Sequence, residues 1–184
     1  MFKCASQETY KDSMTSYQKD YVEKHEVVTG DDKKLLLFFP VNKDFRVQAK
    51  FERIKDGKWF TMETSGNTKQ VYRVYGKIHF ILHDTTLVLN LYQSQRLMTV
   101  AEFKEHLFLP FTDLTSGEES YEAGRYIDLS FADITGNQVI IDFNKAYNPY
   151  CAYVSNKYNC PIPPKENNLN IAVMAGEKKF AGHK

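Results

Sequence analysis

The chain has 184 residues, 42% hydrophobic and 26% charged, the balance of one folded domain rather than of a disordered or membrane-embedded polymer. With 24 basic side chains against 23 acidic ones, the formal charge is +1, which excludes the broad positive field of a nucleic-acid or anionic-membrane binder. No run of about 18 apolar residues exists, so no membrane span is expected.

The start, "MFKCASQETY", has Lys3 but no apolar core of a signal peptide. As written the chain reads as cytoplasmic, and as exported if a leader has been removed. Residues 7–25 predict a helix: Tyr10, Met14, Tyr17 and Tyr21 recur at helical spacing and stack on one face that docks on the domain. Ser6 is placed to cap it, and Glu8 sits in the first turn, where the helix dipole favours a negative charge. Leu35–Phe39 has the length of a buried strand.

From there the pattern has period two. "FRVQAKF" puts Phe45, Val47, Ala49 and Phe51 on one face, and Asp56-Gly57 marks a hairpin turn into "KWFTMET". "VYRVYGKIHFIL" places Val74, Ile78, Phe80 and Leu82 inward, and His83–Thr86 turn the chain into "LVLNLYQ". "YIDLSF", "QVIIDFN" and "LNIAVMA" complete a set of about seven or eight strands. The expectation is one mainly β domain over 1–184: an N-terminal helix, antiparallel strands across 35–144, a Pro/Tyr/Cys-rich loop at 145–168 and a final strand at 169–176. A barrel or roll hides the edges of such a sheet; a two-sheet sandwich is the alternative.

Motifs of common chemistry are missing. There is no G-x-S-x-G, P-loop, G-x-G-x-x-G or H-E-x-x-H, so no cofactor is expected. His79 and His83, four apart on a strand, stand about 13 Å from each other, too far to share a metal ion. His25, His106 and His183 lack spaced partners, and no metal site is expected.

Two stretches stand out instead. In "DFNKAYNPYCAYVSNKYNCPIPPKEN", Asp142 and Asn144 share one face of a strand while Val139, Ile141 and Phe143 take the other. The chain leaves the sheet at Asn148-Pro149, and Pro161, Pro163 and Pro164 stiffen the loop beyond it. Cys151 and Cys160 bridge, with about 2.5–3 kcal/mol of stabilisation, or remain two buried thiols, or supply a reactive thiol, for which no histidine lies nearby in sequence to lower the pKa. In "FTDLTSGEESYEAGRYIDL", Arg125 opens a strand expected to pair with 138–144 through the "DITGN" turn. That count brings Arg125 near Asn144 and Tyr147, with Glu119 or Asp142 as the carboxylate a buried guanidinium needs. Such a pair serves as a structural clamp at least as readily as a site.

"FLPFTDLTSGEESYEAGRYIDL", "IDFNKAYNPYCAY" and "CPIPPKENNLNIAVMAGEK" resemble the signature of an uncharacterised prokaryotic family of unknown function, DUF1684, across nearly the whole chain. Ser120 stands where that family usually has Thr, and Glu122 where Gly is common. The resemblance implies no activity. It draws attention to Glu119, Tyr121, Gly124, Arg125, Asp142, Asn144, Tyr147, Asn148, Pro149, Cys151, Cys160, Pro161, Glu166 and Asn167. It also implies that many members are exported, which favours the Cys151–Cys160 bridge.

The sequence supports three functional expectations. The first is a β domain binding a small polar ligand under the 145–168 loop, through Tyr121, Arg125, Asn144, Tyr147, Asn148 and Asn167. The second is a hydrolase using two of Glu119, Asp142 and Glu166 as general acid and base. The third is a structural or interaction module presenting the helix stripe or a sheet edge.

Overall fold

The computed structural model describes residues 2–182, with side chains from residue 9 onward. The Cys4, Ser6 and Glu8 side chains and His183 therefore lie outside the described residues. The helix α1 runs Phe2–Lys24. Eight strands come after it among the described residues: β1 (Arg46–Arg53), β2 (Trp59–Met62), β3 (Gln70–Leu82), β4 (Thr85–Ser94), β5 (His106–Phe111), β6 (Arg125–Ser130), β7 (Ile134–Thr135) and β8 (Gln138–Asp142). They form one antiparallel sheet in the order β6-β5-β4-β3-β1-β8-β7, with β2 also paired to β3. No described helix is long and apolar enough to cross a membrane.

The period-two pattern becomes burial directly. Val47, Ala49 and Phe51 of β1 turn inward beside Ile78, Phe80 and Leu82 of β3, and Leu89, Leu91, Leu107, Leu109 and Ile141 complete the same core. Each fully buried aliphatic side chain there contributes roughly 1.5–3 kcal/mol. The tight turn between β3 and β4 uses His83 and Asp84, both at positive φ (47° and 59°), the backbone a two-residue hairpin needs. Val74 does not join the central core. A bulge between Val74 and Gly76 breaks the register, and Val74 packs instead with Tyr72, Tyr92, Phe108 and Tyr126.

Several expectations need correction. The Asp56-Gly57 turn does not pair β1 with β2; both lie end to end along the same side of the long β3. β5 carries no turn residue or β-branched run to announce it and contains Pro110, yet it pairs six residues with β6. β6 and β8 are not hairpin partners, because β8 pairs with β1 and only the two-residue β7 folds back on it. The ladder does not close; a single bridge, Tyr126 to Tyr147, joins β6 to the chain beyond β8. Leu35–Phe39 forms no strand: Gly30–Leu35 is a 3-10 helix and Phe38 makes one bridge to Glu177. Residues 169–176 are not a strand either, since the Arg125 and Asp113 side chains take the Val173 backbone groups that a strand would pair.

Candidate functional site

Arg125 turns into the core and is 0% exposed. A guanidinium keeps its proton even when buried, so oxygen atoms must surround it. Asp113 Oδ2 accepts from Nη2 at 2.8 Å, Val173 O at 2.9 Å and, from Nη1, Glu177 O at 3.2 Å; Ala175 O is a further acceptor. The second Asp113 oxygen accepts the N–H groups of Thr115 and Val173. Glu119 and Asp142, the partners that the sequence suggested, stand elsewhere: Glu119 is exposed and Asp142 faces α1. The reason is register. β6 pairs with β5, so Arg125 lies opposite Phe111, two residues before Asp113. Arg125 thus fixes the strandless segment 173–177 to the sheet.

The asparagines act in the same way. Asn144 donates to Tyr10 Oη at 3.0 Å and Asn42 O at 2.8 Å, and accepts from Asn42 N at 3.0 Å. Asp142 accepts the Tyr10 hydroxyl at 2.9 Å. Asp142, the last residue of β8, and Asn144, in the 3-10 turn Phe143–Lys145 that follows it, therefore seat α1. Asn167 exchanges both hydrogen bonds with the Asn90 backbone, at 2.8 and 2.9 Å, and donates to Pro110 O at 2.7 Å. It stands in for a strand beside β4.

Glu177 is a hub that sequence reading missed. It is 0% exposed, and its carboxylate accepts Asn148 N–H at 2.8 Å and the hydroxyls of Tyr153 at 2.7 Å and Tyr21 at 3.1 Å. Burial pushes its carboxyl up to about 7, against these donors. The close seat depends on Gly176, at φ +79°, where an added Cβ would lie 2.6 Å from Ala146 O. The only signal in the sequence was "AGEK", a glycine before an acid. One buried group thus ties α1, the loop and the C-terminal segment together.

Cys151 and Cys160 are bridged by a disulfide. The loop is further pinned by Ile162 N–H to Glu63 O at 2.8 Å, Ser65 N–H to Cys160 O at 2.9 Å, and the Tyr126 hydroxyl to Pro161 O. These ties explain how so long a segment without strands stays ordered.

Between this loop, β6 and the C-terminal half of α1 lies an open groove of about 640 Å³. Its walls carry Tyr17 and Tyr21 from α1, Tyr126 from β6, and Tyr147, Tyr150 and Tyr158 from the loop. Asp20, Lys24, Glu26 and Asp128 supply the charges, and Pro149 and Pro161 stiffen the rim. Tyr147 donates to Asp128 Oδ2 at 2.7 Å, and His106 reaches Asp128 Oδ1 at 2.8 Å. Burial first, then Asp128, holds the Tyr147 hydroxyl well above its usual pKa, so it stays neutral.

His25 lines the groove just beyond the end of α1 and is 7% exposed. Its Nδ1 accepts Val28 N–H at 2.9 Å, which leaves the proton on Nε2, an atom with no partner among the described residues. The Tyr153, Tyr21 and Tyr150 rings surround it at 4.7, 5.4 and 6.2 Å between centroids. Burial, then Lys33, lowers its pKa. His79 pairs with Glu52 and His83 packs on Phe45, on separate parts of the surface.

Of the residues singled out in the sequence, Tyr147, Pro149, Cys160 and Pro161 line the groove. Arg125, Asn144 and Asn167 do not; their polar atoms are turned to the protein. Asn148 stands behind the wall, with Nδ2 donating to Lys178 O, and Tyr121 packs in a small apolar cluster with Phe180. Glu119, Asp142 and Glu166 do not meet in the groove: Glu119 and Glu166 are exposed and Asp142 is buried under α1. The missed wall came from α1, whose stripe was read as a docking face or as the surface of an interaction module.

The family described as "Protein of unknown function (DUF1684)" matches over residues 33–178. A solution NMR structure of an uncharacterised protein from Haloarcula marismortui is similar, with a TM-score of 0.70 and 28% identity, covering 96% of this chain and 97% of that one. No curated protein matches.

Proposed function

We propose that this chain, which belongs to the family of proteins of unknown function DUF1684, is a small-molecule-binding β domain whose ligand lies between α1 and the 147–161 segment. The carrying observation is the groove of about 640 Å³, walled by six tyrosines and a few charged groups. That volume is in the range of small-molecule sites, which combine aromatic walls with a few placed polar groups. The walls are also rigid: the disulfide, the prolines and the Glu177 hub hold them before any ligand arrives. Preorganisation of this kind lowers the cost of binding.

A fragment screen with amide chemical-shift mapping tests this. Shifts should fall on residues 17–26, 126–128 and 147–161. Binding that maps to the opposite side of the sheet, or no hit across a diverse library, would overturn the reading.

A further inference from the structure

We infer that the groove selects a small organic cation, an alkyl- or arylammonium, over neutral or anionic molecules. The inference rests on the binding site proposed above and adds its ligand class. Three carboxylates, Asp20, Glu26 and Asp128, share the lining with one ammonium, Lys24, which is engaged by Asp20 at 2.7 Å. The lining holds no arginine, and His25 is kept neutral by its burial. An anion would therefore meet net negative charge and no free cationic donor, the unpartnered Nε2–H of neutral His25 being a donor without charge.

The hydrogen-bond polarity points the same way. Tyr147 gives its proton to Asp128, Tyr150 to Glu26 at 3.1 Å, Tyr21 to Glu177 and Tyr126 to Pro161 O. Four of the six wall hydroxyls thus spend their protons inside the protein and keep only acceptor capacity. A sugar or polyol needs donors and acceptors in similar number, whereas an ammonium only donates or carries diffuse charge. Tyrosine rings attract such a charge through their negative faces, more strongly where water is excluded. A cation is the class for which acceptor oxygens, aromatic walls and negative charge all act with the same sign.

Calorimetric titration of the whole protein at low salt, with choline against its neutral carbon isostere 3,3-dimethyl-1-butanol, reads this directly. Choline should bind at least about tenfold more tightly than the isostere, a difference set by charge alone. Glu26→Gln and Tyr150→Leu alter exposed side chains, so they should weaken choline binding several-fold while the thermal unfolding temperature holds. Glucose and benzoate should give no heat. Equal binding of choline and the isostere, or binding of glucose or benzoate alone, would overturn the cation class and leave the groove as a binding site. Silence from choline, tetramethylammonium and benzyltrimethylammonium, each at tens of millimolar, would overturn the cation class too; the fragment screen then decides whether the site itself stands.

Discussion

Glu177 has a carboxyl raised to about 7 because it is fully buried, and the hydroxyls and amide that face it offset only part of that penalty. The unfolded chain loses this proton near 4.5, so between the two values the folded state holds more protons. Its contribution is therefore present below the unfolded pKa and is lost as pH rises through 7. Urea unfolding of the wild type and Glu177→Gln across this window should show the wild type losing ground by about 3 kcal/mol as pH rises. A constant gap would mean that the carboxyl is ionised throughout. His25 runs the other way. Its lowered pKa means that the unfolded state takes up protons first, so stability falls as pH drops below its usual value. His25→Asn, which retains an acceptor for Val28 N–H, should flatten that acid-side slope in the same experiment. Neither residue announced itself in the sequence: His25 has no spaced partner, and Glu177 is one acid in a charged tail.

The loop and the helix are held by polar ties where a strand would use ladder bonds. Replacing both Cys151 and Cys160 with serine should cost about 2.5–3 kcal/mol, read from denaturant midpoints. Equal midpoints in oxidised and reduced protein would show that the backbone ties to residues 63–65 suffice. Tyr10→Phe removes one hydroxyl from buried Asp142 and should cost about 1–3 kcal/mol. At this scale the sequence was legible where burial alternates, as in β1, the second half of β3 and β8. It failed where pairing was decided by distant partners. The Asp56-Gly57 turn looked like a hairpin, but nothing local shows that β3 is long enough to hold both β1 and β2. Residues 169–176 have strand composition, yet Asp113, Arg125 and Asn167 take the neighbouring positions that a strand would need.

For the whole molecule, the open sheet sets the design. Its path starts at β6 and ends at β7, and the gap beside β6 is filled by chain from beyond β8 and by the C-terminal segment. Arg125 and Asp113 fix that segment, the segment seats Glu177, and Glu177 positions Tyr21, Tyr153 and Asn148 behind the groove. Arg125, Asn144 and Asn167, conspicuous in the sequence, are thus the frame of the site, while its lining joins Tyr147, Pro149, Cys160 and Pro161 of the loop to Tyr17 and Tyr21 of α1. Frame and lining are separable by experiment. The most direct measurement is urea unfolding of Arg125→Ala. An uncompensated Asp113 and three abandoned carbonyls should lower stability by about 3–5 kcal/mol. A variant as stable as the wild type that had lost only its ligand would place Arg125 in the binding site and contradict the account.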